Sequence, residues 1–313
     1  MTQPKRLIVV RPHGFCSGVA RAVETAEVVL ARFRGETVYC LNEIVHNRQV
    51  VSRLVGLGMV FVDRIEAVPE GALLLFSAHG VAPSVWQAAR ARGLRVIDAT
   101  CPFVTKVHAE VRRFASQGAA VICIGHRRHE EVVGVAGEAP GHVRIVESAQ
   151  EAEALALPEG APVAVVTQTT LGEVQVEAVM AVLRRRFPAL RLPASTDVCY
   201  ATRNRQQAVA ALAQVCGRVV VLGSANSSNS QRLVETARAA GAEAVLVSEL
   251  AQLDGLAWES AGTVGVASGA STPESFLDAA VGVLQEKYGF PATEVMVAVA
   301  EDSHVFRLPA LPA

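Results

Sequence analysis

DATCPFVTKVHAEV, residues 98–111, carries the reading of the whole chain. A short β-rich stretch runs into Cys101, Pro102 follows at the position where helices favour proline, and a helical apolar pattern takes over. Two further segments share this plan. PHGFCSGVARAVETA (12–26) places Cys16 before a helical pattern, and DVCYATRNRQQAVAAL (197–212) does the same with Cys199. Each is followed at similar distance by an apolar run: TVYCL at 37–41, AVICIG at 120–125 and RVVVLG at 218–223. The cysteines are 85 and 98 residues apart, so the repeating unit is a small domain and not a solenoid turn.

Working outward, the order of elements recurs after each cysteine. After Cys16 the pattern predicts a helix from Val19 to about Arg34, strands at 37–41, 59–62, 72–76 and 94–97, and a helix at 84–92. After Cys101 it predicts a helix to Ser116, strands at 119–124, 142–146 and 162–166, and a helix at 173–186. After Cys199 it predicts helices at 205–215, 231–240 and 273–287, with strands at 218–222, 244–247 and 262–266. The strands are continuous β-branched runs, as in parallel sheet buried on both faces, and alternating strands and helices indicate doubly wound α/β. The expected fold is three small doubly wound α/β units in a pseudo-threefold arrangement, at 15–99, 100–197 and 198–288. The terminal segments 1–14 and 289–313 are expected to complete the first unit's sheet, with Glu294–Ala300 beside Leu7–Val10.

Composition narrows the function classes. With 313 residues and a formal net charge of −1, bulk charge does not point to a nucleic-acid or membrane partner. No apolar stretch reaches the ~18 residues of a membrane span. The apolar part of KRLIVVRPHGF is too short for a secretory segment. Six cysteines in such a chain read as reduced thiols or metal ligands, with a cytoplasmic location.

Ligands of open parallel sheets lie beyond the carboxyl ends of the strands. That rule puts Cys16, Cys101 and Cys199 on one kind of edge, together with six polar loops. Three units about a threefold axis would turn these edges toward one cavity. A lone cysteine is usually a small core hydrophobe, and Cys40, Cys123 and Cys216, inside apolar strands or at a helix end, are read that way. Three thiols in register at helix N-termini suit a soft metal centre: an iron–sulfur cluster with one iron open to substrate, or zinc completed by a histidine. Compact zinc motifs place their cysteines in close pairs, which this chain does not do.

The loops SAHG (77–80), TQTT (167–170), NSSNS (226–230) and GAST (269–272) offer hydroxyls, amides and main-chain N–H groups without Lys or Arg. This is the composition of an anion cradle, although ordinary helix capping uses the same residues. His46, His79 and His129 add further donors. In His129–Glu130–Glu131, a carboxyl in a dry cavity suits a proton donor, whereas acids also favour the first turn of a helix.

The assembled segments closely resemble the 4-hydroxy-3-methylbut-2-enyl diphosphate reductase family. They are GFCSGVARA, EIVHNRQVV, FSAHGVAP, DATCPFVTKVH, HRRHEEVVG, TQTTL, CYATRNRQ, NSSNSQRL and GAST, in order up to residue 272. The resemblance implies three α/β domains around one [4Fe–4S] cluster per chain, held by Cys16, Cys101 and Cys199. It implies that His46, His79, His129, Ser227, Asn229 and Ser271 bind the substrate diphosphate, with Ser228 adjacent. Glu131 then resembles the proton donor, assisted by Thr169. The implied reaction removes the allylic hydroxyl reductively, giving isopentenyl and dimethylallyl diphosphate. The resemblance implies electrons from reduced ferredoxin or flavodoxin, and the lack of a flavin or nicotinamide fingerprint fits an external donor. The family pattern usually has Pro where Glu130 stands, so Glu130 is expected either to perturb Glu131 or to face solvent. Quinolinate synthase also sets three cysteines on three α/β units, but CYATRNRQ and NSSNS are not expected in it.

Overall fold

The computed structural model describes residues 5–157, 160, 162–258, 262–300 and 304–312. Within the terminal segments predicted above, residues 1–4, 301–303 and 313 lie outside that set. The chain opens with β1 (Arg6–Arg11) and α1 (Ser17–Arg32). It continues through β2 (Val38–Leu41), α2 (Arg48–Gly56), β3 (Met59–Val62), β4 (Leu73–Phe76), α3 (Pro83–Ala91) and β5 (Arg95–Asp98). After Cys101 come α4 (Pro102–Ser116), β6 (Ala120–Ile124), α5 (Glu130–Ala136), β7 (Val143–Val146), α6 (Ala149–Ala154), β8 (Val163–Thr167) and α7 (Glu173–Arg186). After Cys199 come α8 (Tyr200–Ala213), β9 (Arg218–Leu222), α9 (Ser228–Ala239), β10 (Glu243–Val247), β11 (Thr263–Ser268), α10 (Glu274–Glu286) and β12 (Glu294–Val297).

Three parallel sheets result, with strand orders β3-β2-β4-β5, β7-β6-β8 and β10-β9-β11-β1-β12. A parallel bridge between Ala164 and Arg191 extends the second sheet on the side of β8. The three orders then match: each sheet runs second strand, first, third, and a final extended segment that leads into a cysteine. In the third sheet that final segment is β1, whose Leu7 pairs with Val264.

This pairing corrects one expectation. Glu294–Val297 does lie beside β1, with Val9 opposite Val295, but both strands belong to the sheet of β9 to β11 and not to the first unit's sheet. The physical reason lies in the repeat. Each sheet ends on its cysteine instead of beginning with one, so the third must take its last strand from the other end of the chain.

The described residues fall into two compact units. One comprises Met1–Val19, His46–Arg53 and Tyr200–Val305. In it, Val219 and Val221 of β9 pack on Leu212 and Leu233, while Val220 and Leu222 pack on Phe276, Leu277 and Trp258. The alternation follows from the strand period of two with helices on both faces. The other comprises Ala20–Val45, Leu54–Cys199 and Phe306–Ala313. There Val121 and Cys123 face Val107, Val111 and Phe114, while Ile122 and Ile124 face Leu171, Val179 and Leu183. Among the described residues, no helix is long and apolar enough to cross a membrane.

Candidate functional site

Each of the three cysteines in register is tied by its main chain to the loop of a sheet. Cys16 N–H donates to Ala270 O, Cys101 N–H to Ala78 O and Cys199 N–H to Thr169 O, each at 3.0 Å. All three acceptors are the second residue after a strand, following β11, β4 and β8 respectively. The bond is therefore the same bond made three times. Behind each cysteine a helix begins: α1 and α8 start one residue later, and Cys101 is the N-cap of α4 with Pro102 behind it. The three thiols are half-buried. Cys40, Cys123 and Cys216 are buried in the cores. Burial pushes the Cys40 and Cys123 thiols far up, the carboxylates of Glu130 and Glu131 respectively adding to it, and burial raises Cys216 to about 11. Cys16, Cys101 and Cys199 are the partly exposed thiols, and sulfur donors of this kind suit an iron–sulfur centre or zinc.

The acid group is built on α5 and the loop after β8. His129 caps α5, its Nδ1 accepting the N–H of Glu131 at 3.2 Å. A neutral ring in that position carries its proton on Nε2. Glu131 is 1% exposed. Its Oε1 accepts Thr169 N–H at 2.6 Å and its Oε2 accepts the Thr169 hydroxyl at 3.0 Å. Thr169 therefore uses its N–H and hydroxyl on the acid and its carbonyl on Cys199. Asp197 braces the same turn, accepting from Thr167 N–H at 3.0 Å and from Lys106 Nζ at 2.9 Å. Burial pushes the Asp197 carboxyl up, against the pull of both donors.

His79 stands edge-on to His129, with ring centroids 5.7 Å apart. Its Nδ1 lies 2.8 Å from Glu130 Oε2. Glu130 thus sets a carboxylate oxygen against His79 while its side chain stays partly exposed. The loop that carries His79 needs glycine at its end, because Gly80 has φ +75° and a Cβ there would sit 3.0 Å from His108 Nε2. Gln168, part of the TQTT loop but given no role of its own by the sequence, holds that loop together. It is buried and spans its loop, accepting from His126 N–H at 3.0 Å and donating to Thr170 Oγ1 at 2.9 Å.

The remaining donors surround the start of α9. Ser227 is the N-cap and accepts from Ser230 N–H, while Ser228 and Asn229 occupy the first turn, all buried. Ser271 donates to the main-chain carbonyl of His46 at 2.9 Å, and Asn226 Nδ2 lies 3.4 Å from His46 Nδ1. Asn226 was not singled out in the sequence, although it opens NSSNS. The side chain of Asn229 is buried with neither its nitrogen nor its oxygen hydrogen-bonded. A carboxamide that no protein group satisfies takes its partner from a ligand or from water. Helix N-terminus, hydroxyls and a carboxamide together suit an anion.

Residues 7–285 match the family model described as LytB protein. The chain is 49% identical over 306 residues to the 4-hydroxy-3-methylbut-2-enyl diphosphate reductase of Rhodococcus opacus, covering 97% of this chain and 90% of that protein. Its fold is similar to the E-1-hydroxy-2-methyl-but-2-enyl-4-diphosphate reductase of Plasmodium falciparum, with a TM-score of 0.94 and 34% identity over 98% of this chain and 96% of that one. A second solved structure is titled (E)-4-hydroxy-3-methyl-but-2-enyl diphosphate reductase, the terminal enzyme of the non-mevalonate pathway. It matches with a TM-score of 0.64 at 31% identity, covering 91% of this chain and 100% of that one.

Proposed function

The chain belongs to the LytB protein family, and from that premise we propose how its own residues carry out the family's reaction. It reduces (E)-4-hydroxy-3-methylbut-2-enyl diphosphate to isopentenyl and dimethylallyl diphosphate, consuming two electrons and two protons and releasing one water.

Cys16, Cys101 and Cys199 hold one [4Fe–4S] cluster, and zinc is the competing occupant. When bound, that cluster supplies single electrons and an iron without a protein ligand, which acts as a Lewis acid toward the allylic oxygen. The reading is supported by the threefold repetition of the Cys N–H to loop-carbonyl bond. Cys40, Cys123 and Cys216, buried and hard to ionise, take no part.

The diphosphate is held by hydroxyl, carboxamide and imidazole donors. Ser227, Ser228 and Asn229 at the start of α9, with Ser271 and the histidines His46, His79 and His129, satisfy its oxygens. The orphaned carboxamide of Asn229 supports this assignment. A buried donor that no protein group satisfies gains a hydrogen bond on binding.

Glu131 delivers the proton that turns the departing hydroxyl into water. Its carboxyl is held at both oxygens by Thr169, which fixes where the proton is handed over. The single observation that carries the reading is this clamp, because the same Thr169 is bonded to Cys199. Acid and metal ligand are thereby one residue's contacts apart. The second proton goes to carbon at one end or the other of the allyl group, giving the two products. Reduced ferredoxin or flavodoxin supplies the electrons, in the cytoplasm. Anaerobic incubation of iron-replete protein with chemically reduced viologen and the hydroxylated diphosphate tests the reading. Both five-carbon diphosphates are expected, and absence of either product from iron-replete protein counts against it.

A further inference from the structure

The CYATRNRQ segment contains a cation that the reaction described above leaves unused. Arg205, on α8, is only 4% exposed. Its Nη2 donates to Gly14 O at 2.9 Å across 191 residues of sequence, its Nη1 reaches Ala201 O at 3.4 Å, and its Nε makes no hydrogen bond. Among the described residues no carboxylate lies within ion-pair distance of it. Glu274, the first residue of α10, lies 3.4 Å from His13. A buried guanidinium with only carbonyl partners is costly, since its charge has been taken out of water without a counter-charge.

Arg205 lines a cavity of about 80 Å³ together with His13, Cys16, Tyr200 and Asn204. Tyr200 donates to Ser17 at 2.9 Å and stacks on His304. Of the groups in that lining, the sulfur of Cys16 is the one able to belong to an anionic centre. The loop that carries it is fixed at three points. Gly14 N–H donates to Ser268 Oγ at 3.0 Å, Gly14 O accepts from Arg205, and Cys16 N–H donates to Ala270 O.

We infer that Arg205 is a positioning residue for Cys16 and the fixed counter-charge of the centre that Cys16 holds. Through Gly14 it sets the loop, and its charge favours the more reduced, more negative state of that centre. The inference rests on Cys16 being a ligand of the cluster.

The test uses anaerobically purified holoprotein and reads the reduction potential by electron paramagnetic resonance titration, with iron and sulfide counted for each variant. Arg205→Gln is expected to shift the one-electron reduction equilibrium at least about threefold toward the oxidised state, about 28 mV at 59 mV per tenfold. Arg205→Lys, which keeps the charge, is expected to shift it by less than about threefold. A merely structural role would not sort the two variants by charge. Hydrogen exchange on the apoprotein supplies the second readout, with the Gly14 and Cys16 amides expected to exchange at least about tenfold faster in Arg205→Gln. Arg205→Gln with full iron content, an unchanged potential and unchanged exchange overturns the inference. If Arg205→Gln does not fold, a folded Arg205→Lys whose equilibrium moves about threefold or more overturns the counter-charge. Should Cys16→Ser keep the cluster intact, the ligand assignment fails, and the exchange result still reports on the tether.

Discussion

Thr169 grips Glu131 at both carboxylate oxygens, with its main-chain N–H 2.6 Å from Oε1 and its hydroxyl 3.0 Å from Oε2. Two donors of fixed direction leave the carboxyl one orientation. Glu131→Gln keeps the volume and one accepting oxygen but removes the titratable proton. We expect kcat to fall by about 10²–10⁴, the usual contribution of general acid catalysis, with iron content and substrate affinity retained. Glu130→Gln disturbs His79 instead, so a rise in KM of a few-fold with kcat near normal is expected. Steady-state kinetics of the two variants separate the roles. A large loss of kcat in Glu130→Gln with near-normal turnover in Glu131→Gln would assign the acid to the wrong residue.

Asn229 is buried with both polar ends of its carboxamide unpartnered. A buried carboxamide that no protein group satisfies gives up stability for binding. Asn229→Leu should therefore raise KM at least about tenfold, as loss of uniform substrate binding does, while its Tm stays at or above that of the unchanged protein. A drop in Tm together with an unchanged KM would show that the carboxamide serves the fold.

Much of this was readable from residues alone, and the failures have physical causes. The limits of β3, β9 and α7 follow from the sequence because turn residues and charges bound sharply apolar or amphipathic runs. The six-residue α6 escaped notice, since one and a half turns capped by Ser148 show no apolar period. Strand β1 was given to the wrong sheet because sequence proximity to Cys16 suggested the first unit. Its partner β11 begins more than 250 residues away, and pairing at that range leaves no local trace. Likewise Glu130 and Glu131 are adjacent and chemically identical. Only the direction in which α5 leaves His129 decides that one turns to Thr169 and the other to His79. The orphaned carboxamide of Asn229 is also a property of packing, which no motif records.

Stability in acid should depend on Glu138. Burial pushes its carboxyl up, but bonds from His108 at 2.6 Å and Arg112 at 2.8 Å outweigh burial and hold it below the usual range. A carboxyl depressed in the folded state stabilises the fold above its unfolded value of about 4.3, and that contribution is lost as pH falls through the folded value. Glu138→Gln should lower the urea midpoint at pH 6 and flatten its decline between pH 5 and pH 3. Parallel acid limbs for the two proteins would argue against the assignment.

The three core cysteines should be chemically silent. With Cys216 raised to about 11, only about 0.1% of it is thiolate at pH 8, and burial pushes Cys40 and Cys123 higher still. Iodoacetamide applied to folded apoprotein at pH 8 should label Cys16, Cys101 and Cys199 and spare the others, as read by peptide mass spectrometry. Ala at Cys40, Cys123 or Cys216 should cost about 1 kcal/mol of stability each and leave the metal content unchanged. Rapid labelling of Cys123 in the native state would contradict the buried assignment.

The central claim is that Cys16, Cys101 and Cys199 hold one four-iron cluster, and metal analysis tests it most directly. Iron, acid-labile sulfide and zinc are to be counted on protein purified without oxygen, alongside Ser variants at each of the six cysteines. The account predicts about four irons and four sulfides per chain, as its cluster type requires. That content should be lost or depleted on substitution of Cys16, Cys101 or Cys199, and kept on substitution of Cys40, Cys123 or Cys216. Stoichiometric zinc without iron, or a full cluster surviving the loss of any one of the first three cysteines, would contradict it.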